Sequence, residues 1–250
     1  MIKDILRPFY RFAIKAYKGT YRFFYHLGFN KEKIKQIPIV INNRNRYTYL
    51  VKVISRLEKA GYENIYIIDN ASDYPPLLEF YKTCKYKVFR LKENVGYMAL
   101  WKTDIYDQFK WGYYVYTDPD VEPIAECPVD FLEHLYGVLK EFPNVEKVGL
   151  GLKLDDLPDH YGKKEAVQKW EDQFWKREVK KDIFDADVDT TFALYRPLAK
   201  GNAEECKAYR TGGIYQARHL PWYENSLHPE EENVYYEQHI KQGASHWIGR

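Results

Sequence analysis

Asp118 and Asp120 stand one residue apart in YYVYTDPDVEP, residues 113–123, directly after a run of aromatic and β-branched side chains. Two carboxylates at the end of a buried strand repel each other unless a cation lies between them. Mg2+ or Mn2+ suits such a pair, because both prefer oxygen ligands and keep positions open for a substrate phosphate. Such an ion would also neutralise charge on a leaving diphosphate. The competing reading is a plain turn, since Asp and Pro are common turn formers.

A second acidic group, Glu230, Glu231 and Glu232, opens PEEENVYYEQHIKQG at 229–243. Pro229, the acids and the final Gly243 predict a helix there. A carboxylate at such a start can take a proton from an attacking hydroxyl. The helix terminus favours the ionised form, while adjacent acids repel one another. The alternative is that these glutamates only favour a first helical turn. Asp185, Asp187 and Asp189 alternate in DADVDTTFALYR, so they share one face of an expected strand. They are either solvated or bind sugar hydroxyls, and Asp189 is the preferred acceptor contact.

The elements that must carry these groups follow from the apolar pattern. IPIVINN (37–43), NIYIIDNAS (64–72), YKVFRLKEN (86–94) and WGYYVYTDPDV (111–121) read as buried strands. Helical spacing at Leu50, Val53, Ile54 and Leu57, with Gly61 after it, predicts a helix over 47–62. Helices are also expected over 75–84, 95–109, 128–142 and 164–179. Further strands are expected over 145–154 and 185–196, and a paired-glycine turn at Gly212 and Gly213. This alternation predicts an α/β fold with a mostly parallel central sheet flanked by helices. Ligands bind such sheets at the carboxyl ends of the strands, where Arg44, Asp69, Asn94 and Asp118 all fall.

The chain of 250 residues is 45% hydrophobic and carries a net charge of only +2, which excludes a protein that coats nucleic acid. Twenty-four tyrosines suit stacking on planar rings or sugars, or simply fill strand and helix surfaces. Three cysteines, Cys84, Cys127 and Cys206, have no paired spacing and fit a reducing cytosol. Neither a spanning helix nor a signal peptide is expected.

The charge is uneven. Residues 1–35 hold nine lysines and arginines against two acids, a formal +7, which leaves the remainder at −5. Lys3, Arg7, Arg11, Lys15, Lys18 and Arg22 recur every three or four residues, on one helical face. Ile5, Leu6, Phe9, Phe12, Ala13, Ala16 and Tyr17 occupy other faces, and Pro8 either begins or kinks the helix. This reads as an N-terminal amphipathic helix within a basic arm (1–35), drawn to an anionic membrane surface through residues 1–30. The alternative is a helix packed on its own domain, residues 36–250.

The ordered set IPIVINNRNR, YIIDNAS, ENVGYMALWK and YYVYTDPDVEP resembles the GT-A (Rossmann-like) glycosyltransferases, especially those similar to family 2, over roughly residues 37–247. The resemblance implies a nucleotide pocket opened by the first strand, with Asn43 and Arg44. It implies Asp69 near uracil or ribose, and Asn94, Gly96 and Lys102 along the nucleotide side. Asp118 and Asp120 would hold the metal (Mn2+ or Mg2+) and the ribose-diphosphate. RTGGIYQARHL, with Gly212 and Gly213, looks like the family's acceptor segment, and Glu230, Glu231 or Glu232 matches its catalytic base. A late metal-binding histidine would be His246, with His219 and His228 competing.

The function implied is sugar transfer from a nucleotide-sugar, UDP-linked, to a glycan or lipid-linked glycan, with inversion. The setting is surface polysaccharide synthesis, in the cytoplasm and peripheral on the inner face of the cell membrane. A sugar nucleotidyltransferase is the alternative enzyme, but INNRNRYTY lacks the glycine-rich triphosphate cradle. A non-catalytic, membrane-associated carbohydrate-binding or scaffold protein is the alternative from another class.

Overall fold

The computed structural model describes residues 2–188, 191–201 and 206–239, with side chains from residue 9 onward. The chain opens with a long helix, α1 (Ile2–Leu27), and a 3-10 turn (Lys31–Gln36). The first half alternates β1 (Ile39–Asn43), α2 (Thr48–Lys59), β2 (Ile65–Asp69), α3 (Pro75–Thr83), β3 (Lys87–Arg90), α4 (Ala99–Lys102) and β4 (Tyr114–Thr117). Then follow β5 (Val121–Pro123), α5 (Phe131–Glu141), β6 (Lys147–Leu152), α6 (Lys164–Glu171), β7 (Glu178–Lys180), β8 (Ile183–Asp185), β9 (Ala193–Tyr195), β10 (Ala208–His219) and α7 (Glu231–His239).

All ten strands form one sheet in the order β3-β2-β1-β4-β9-β6-β10-β8-β7, with β5 on β10. β1 to β4, β6, β7 and β10 run one way; β5, β8 and β9 run the other. The sheet is therefore mostly parallel, as the apolar runs predict.

Alternation along each strand splits the core between two faces. Ile39 and Ile41 of β1, with Ile65 and Ile67 of β2, join α2 and α5 on one face. Val40, Ile68, Tyr114 and Tyr116 join Trp101, Tyr106 and Phe109 on the other. Many tyrosines are core residues whose hydroxyls meet backbone carbonyls. Tyr106 and Tyr114 both donate to the Ala199 carbonyl, at 2.8 and 2.7 Å. Gly61 ends α2 at φ +79°, with its amide on the Glu58 carbonyl (2.8 Å) and the Tyr62 amide on that of Leu57 (3.0 Å). That pair of bonds is a Schellman stop, and only glycine takes this φ without cost.

Four expectations need correction. The helix expected over 95–109 is only α4 plus a 3-10 turn (Asp104–Gln108), because Thr103 is extended between them. The strand expected over 185–196 is two short strands, β8 and β9. The paired-glycine turn falls inside β10 and does not separate two elements. Residues 212–215 bulge out of the β6 ladder there, since Thr211 and Gln216 pair with the consecutive residues Leu150 and Gly151, and Gly213 has φ +59°. Likewise α6 stops at Glu171 and a 3-10 turn leads into β7.

α1 packs on the domain through its last turns. Arg22 grips Glu146 with both terminal nitrogens, at 2.8 and 2.7 Å, and its Nε donates to the Pro197 carbonyl at 2.9 Å. Tyr21 donates to the Trp111 carbonyl at 2.6 Å, and Tyr25 and His26 pack on Tyr113.

Candidate active site

β4 ends in the Asp118–Pro119–Asp120 turn, and β5 starts at the next residue. β5 pairs antiparallel with the end of β10, placing Val121 opposite His219. The Leu220 amide closes the corner on the Asp120 carbonyl at 2.8 Å. This register brings His219 Nε2 to 3.6 Å from Asp120 Oδ2. Asp120 Oδ1 and His219 Nδ1 are buried without a hydrogen-bond partner. Burial, reinforced by Arg46 and opposed by Asp120, lowers the His219 pKa. The imidazole is therefore neutral at pH 7, with a lone pair to offer.

An unsatisfied carboxylate oxygen beside a neutral imidazole fits a divalent cation. Among the described residues, no group of three or more His, Cys, Asp or Glu is placed to hold a metal ion, so this corner offers Asp120 and His219 as a pair. An open shell of this kind leaves positions for water or a diphosphate.

The β1–α2 loop and α7 complete the cluster. Arg46 is 5% exposed. Its guanidinium lies over the Tyr236 ring at 3.6 Å and the Tyr49 ring at 5.1 Å. One terminal nitrogen donates to Asn233 Oδ1, and Nε has no partner. Burial pushes the Tyr236 pKa up to about 12, against Arg46 and with Asp120 and Asp118. Asn233 also donates to Glu224, whose pKa burial raises against Asn233 and Arg46. Glu224 follows a 3-10 turn (Leu220–Tyr223) that starts right after His219.

No protein-family model and no curated protein sequence matches this chain. Among solved structures, the chain is similar to GalNAc-T7 with UDP, GalNAc and Mn2+, at 13% identity and TM-score 0.46, over 73% of this chain and 43% of that one. It is also similar to S. aureus TarS 1-349, at 13% identity and TM-score 0.39, over 64% and 47%. A third is Mycobacterium tuberculosis glucosyl-3-phosphoglycerate synthase with Mn2+, UDP-glucose and phosphoglyceric acid, at 12% and TM-score 0.41, over 68% and 61%. The chain thus spans about half the length of the first two.

The remaining sequence-predicted residues fall in three places. Glu232 is buried, and its Oε2 accepts the backbone amides of Tyr47 (3.0 Å) and Thr48 (2.8 Å). Tyr47, the N-cap of α2, has no side-chain cap of its own, so Glu232 caps that helix from α7. Glu230 and Glu231 are exposed.

Asp69 lies inside the fold, with Oδ2 on Arg90 Nε at 3.0 Å and Oδ1 accepting the Ser72 amide at 3.3 Å. Asn43 donates to the Tyr81 hydroxyl at 2.9 Å. Arg44 bridges the carbonyls of Asn70 and Ala71 at 3.0 and 2.8 Å. Asn94 accepts the Gly96 amide (2.9 Å), with Gly96 at φ +84°, and Lys102 donates to the Val95 carbonyl (2.8 Å). Asn70 pins this loop to β2, accepting the Val95 amide and donating to the Gly96 carbonyl, both at 2.9 Å.

Gly212 and Gly213 face the β7–β8 hairpin. A Cβ on Gly213 would lie 3.1 Å from the Asp182 carboxylate. Asp185 pairs with Arg177 at 3.1 Å and Lys207 at 3.5 Å. His228 is exposed before α7. Asp189 and His246 lie outside the described residues. Sequence reasoning missed Arg46, Glu224, Asn233 and Tyr236. The only linear signal was a second arginine after β1.

Proposed function

We propose that this protein is a metal-dependent glycosyltransferase of the GT-A type, which moves a sugar from a UDP-sugar to a glycan or lipid-linked glycan, with inversion. The observation that carries the reading is Asp120 beside neutral His219, with an unsatisfied carboxylate oxygen, at the carboxyl end of a parallel sheet. Asp120 and His219 would hold Mn2+ or Mg2+, with water or the substrate diphosphate filling the shell, and Asp118 lies two residues before Asp120 in the same turn. The bound cation supplies positive charge against the diphosphate as it leaves.

The chain's own groups do the rest. Arg46, clamped by Tyr236 and Asn233, is a fixed cation in the same cluster and faces negative charge without reorganisation. The β2 end, with Arg90 over Asp69 and Asn70 holding the 94–96 loop, forms the nucleoside side. The acceptor oxygen attacks the anomeric carbon, the bond to the diphosphate breaks, and the acceptor proton passes to a carboxylate. Glu232 is engaged in capping α2. Glu224, half-buried with a raised pKa beside Arg46, suits the proton-accepting role best. Glu230 and Glu231 are the surface alternatives.

The test is UDP release from a panel of UDP-sugars, with Mn2+ and with EDTA. Metal-dependent turnover of one sugar supports the reading. Turnover of a nucleoside triphosphate and sugar phosphate instead would establish the nucleotidyltransferase. The setting that follows from the reading is surface polysaccharide assembly in the cytoplasm.

A further inference from the structure

Exposed aromatic side chains run along one side of α1. Phe9, Phe12, Phe23, Phe24 and Leu27 are 72%, 74%, 62%, 65% and 72% exposed. At 100° per residue these positions share one face of the helix. Tyr21, Arg22, Tyr25 and His26 occupy the opposite face, where they grip Trp111, Glu146, Pro197 and Tyr113. The apolar face therefore points away from the domain along the described part of the helix. This is a large apolar surface to leave in water.

We propose that this face is a docking surface for an anionic lipid bilayer, with α1 lying flat and the phenylalanines at the acyl boundary. Two observations select that occupant. First, α1 carries six lysines and arginines against one acid. Its polar side rides about 10 Å above the apolar side, within a Debye length of lipid headgroup charge. Second, no helix among the described residues is long and apolar enough to cross a membrane, so a parallel orientation remains.

After α1 a short connection and a 3-10 turn, whose Ile34 is fully buried, lead into β1. Together with the Arg22–Glu146 grip, this ties α1 to the domain. The surface is independent of the donor site and stands whether or not that site transfers sugar.

The experiment is co-sedimentation of the full chain with vesicles of phosphatidylcholine alone or mixed with phosphatidylglycerol. The expected result is binding to the anionic vesicles that weakens with salt. The Phe12→Ser/Phe23→Ser double variant should bind more weakly by roughly tenfold for each phenylalanine removed. Both rings are exposed, so its thermal unfolding should match wild type. Wild type left in the supernatant would overturn the proposal. So would equal vesicle binding by the double variant, which would leave charge alone as the cause. Self-association that the double substitution abolishes, without lipid binding, would assign the face to a second copy instead.

Discussion

His219 Nε2 lies 3.6 Å from Asp120 Oδ2, and the pairing of β5 with the end of β10 is what sets that separation. Two groups far apart in sequence become neighbours because Val121 and His219 share a register position. The relationship predicts that His219→Gln weakens Mn2+ binding by about ten- to a hundredfold. Manganese titration followed by electron paramagnetic resonance reads this. An unchanged affinity would remove His219 from the metal shell.

Three histidines titrate below their ordinary value in the folded chain. Burial lowers His219, His26 and His134. The unfolded chain then binds more protons than the native one as pH falls through about 6.5, so stability drops toward acid. Urea midpoints should decrease between pH 7.5 and 5.5. His219→Gln should flatten part of that slope, which a midpoint series on the variant would show.

Glu232 caps α2 through the amides of Tyr47 and Thr48. Glu232→Ala leaves both amides without this partner and should cost about 1–2 kcal/mol. The melting temperature should fall by roughly 2–8 °C. Glu232→Gln keeps an acceptor and should cost less. A melting curve for each variant settles the order.

Burial raises the Glu224 pKa, opposed by Asn233 and Arg46. As the base, it must be ionised, so kcat should fall as pH drops through a value above the ordinary glutamate range. Glu224→Gln should lower kcat by about a hundredfold or more and remove that acidic limb. Glu231→Gln should leave the limb in place. pH–rate profiles of both variants separate the two carboxylates.

β1, β2 and β4 were legible because doubly covered parallel strands read as unbroken apolar runs, and Asp118 and Asp120 were legible because such a run ends at them. The second half was not, for a length reason. β5, β7, β8 and β9 have three residues each, shorter than any period they could display. The region 95–109 misled because Trp101, Tyr106 and Phe109 are spaced for a helix, yet Thr103 breaks it and the rings pack on Tyr114, Tyr116 and Tyr66. Arg46, Glu224 and Asn233 meet only through tertiary packing of α7 on the β1–α2 loop. No local spacing could announce them.

Calorimetric binding of UDP, with Mn2+ and then with EDTA, on wild type and Asp120→Ala, tests the central claim most directly. The account predicts Mn2+-dependent binding by wild type, abolished by EDTA and by the substitution. Failure of UDP and other nucleoside diphosphates to bind in the presence of Mn2+, or equal binding by Asp120→Ala, would contradict a nucleotide–metal site at this corner of the sheet.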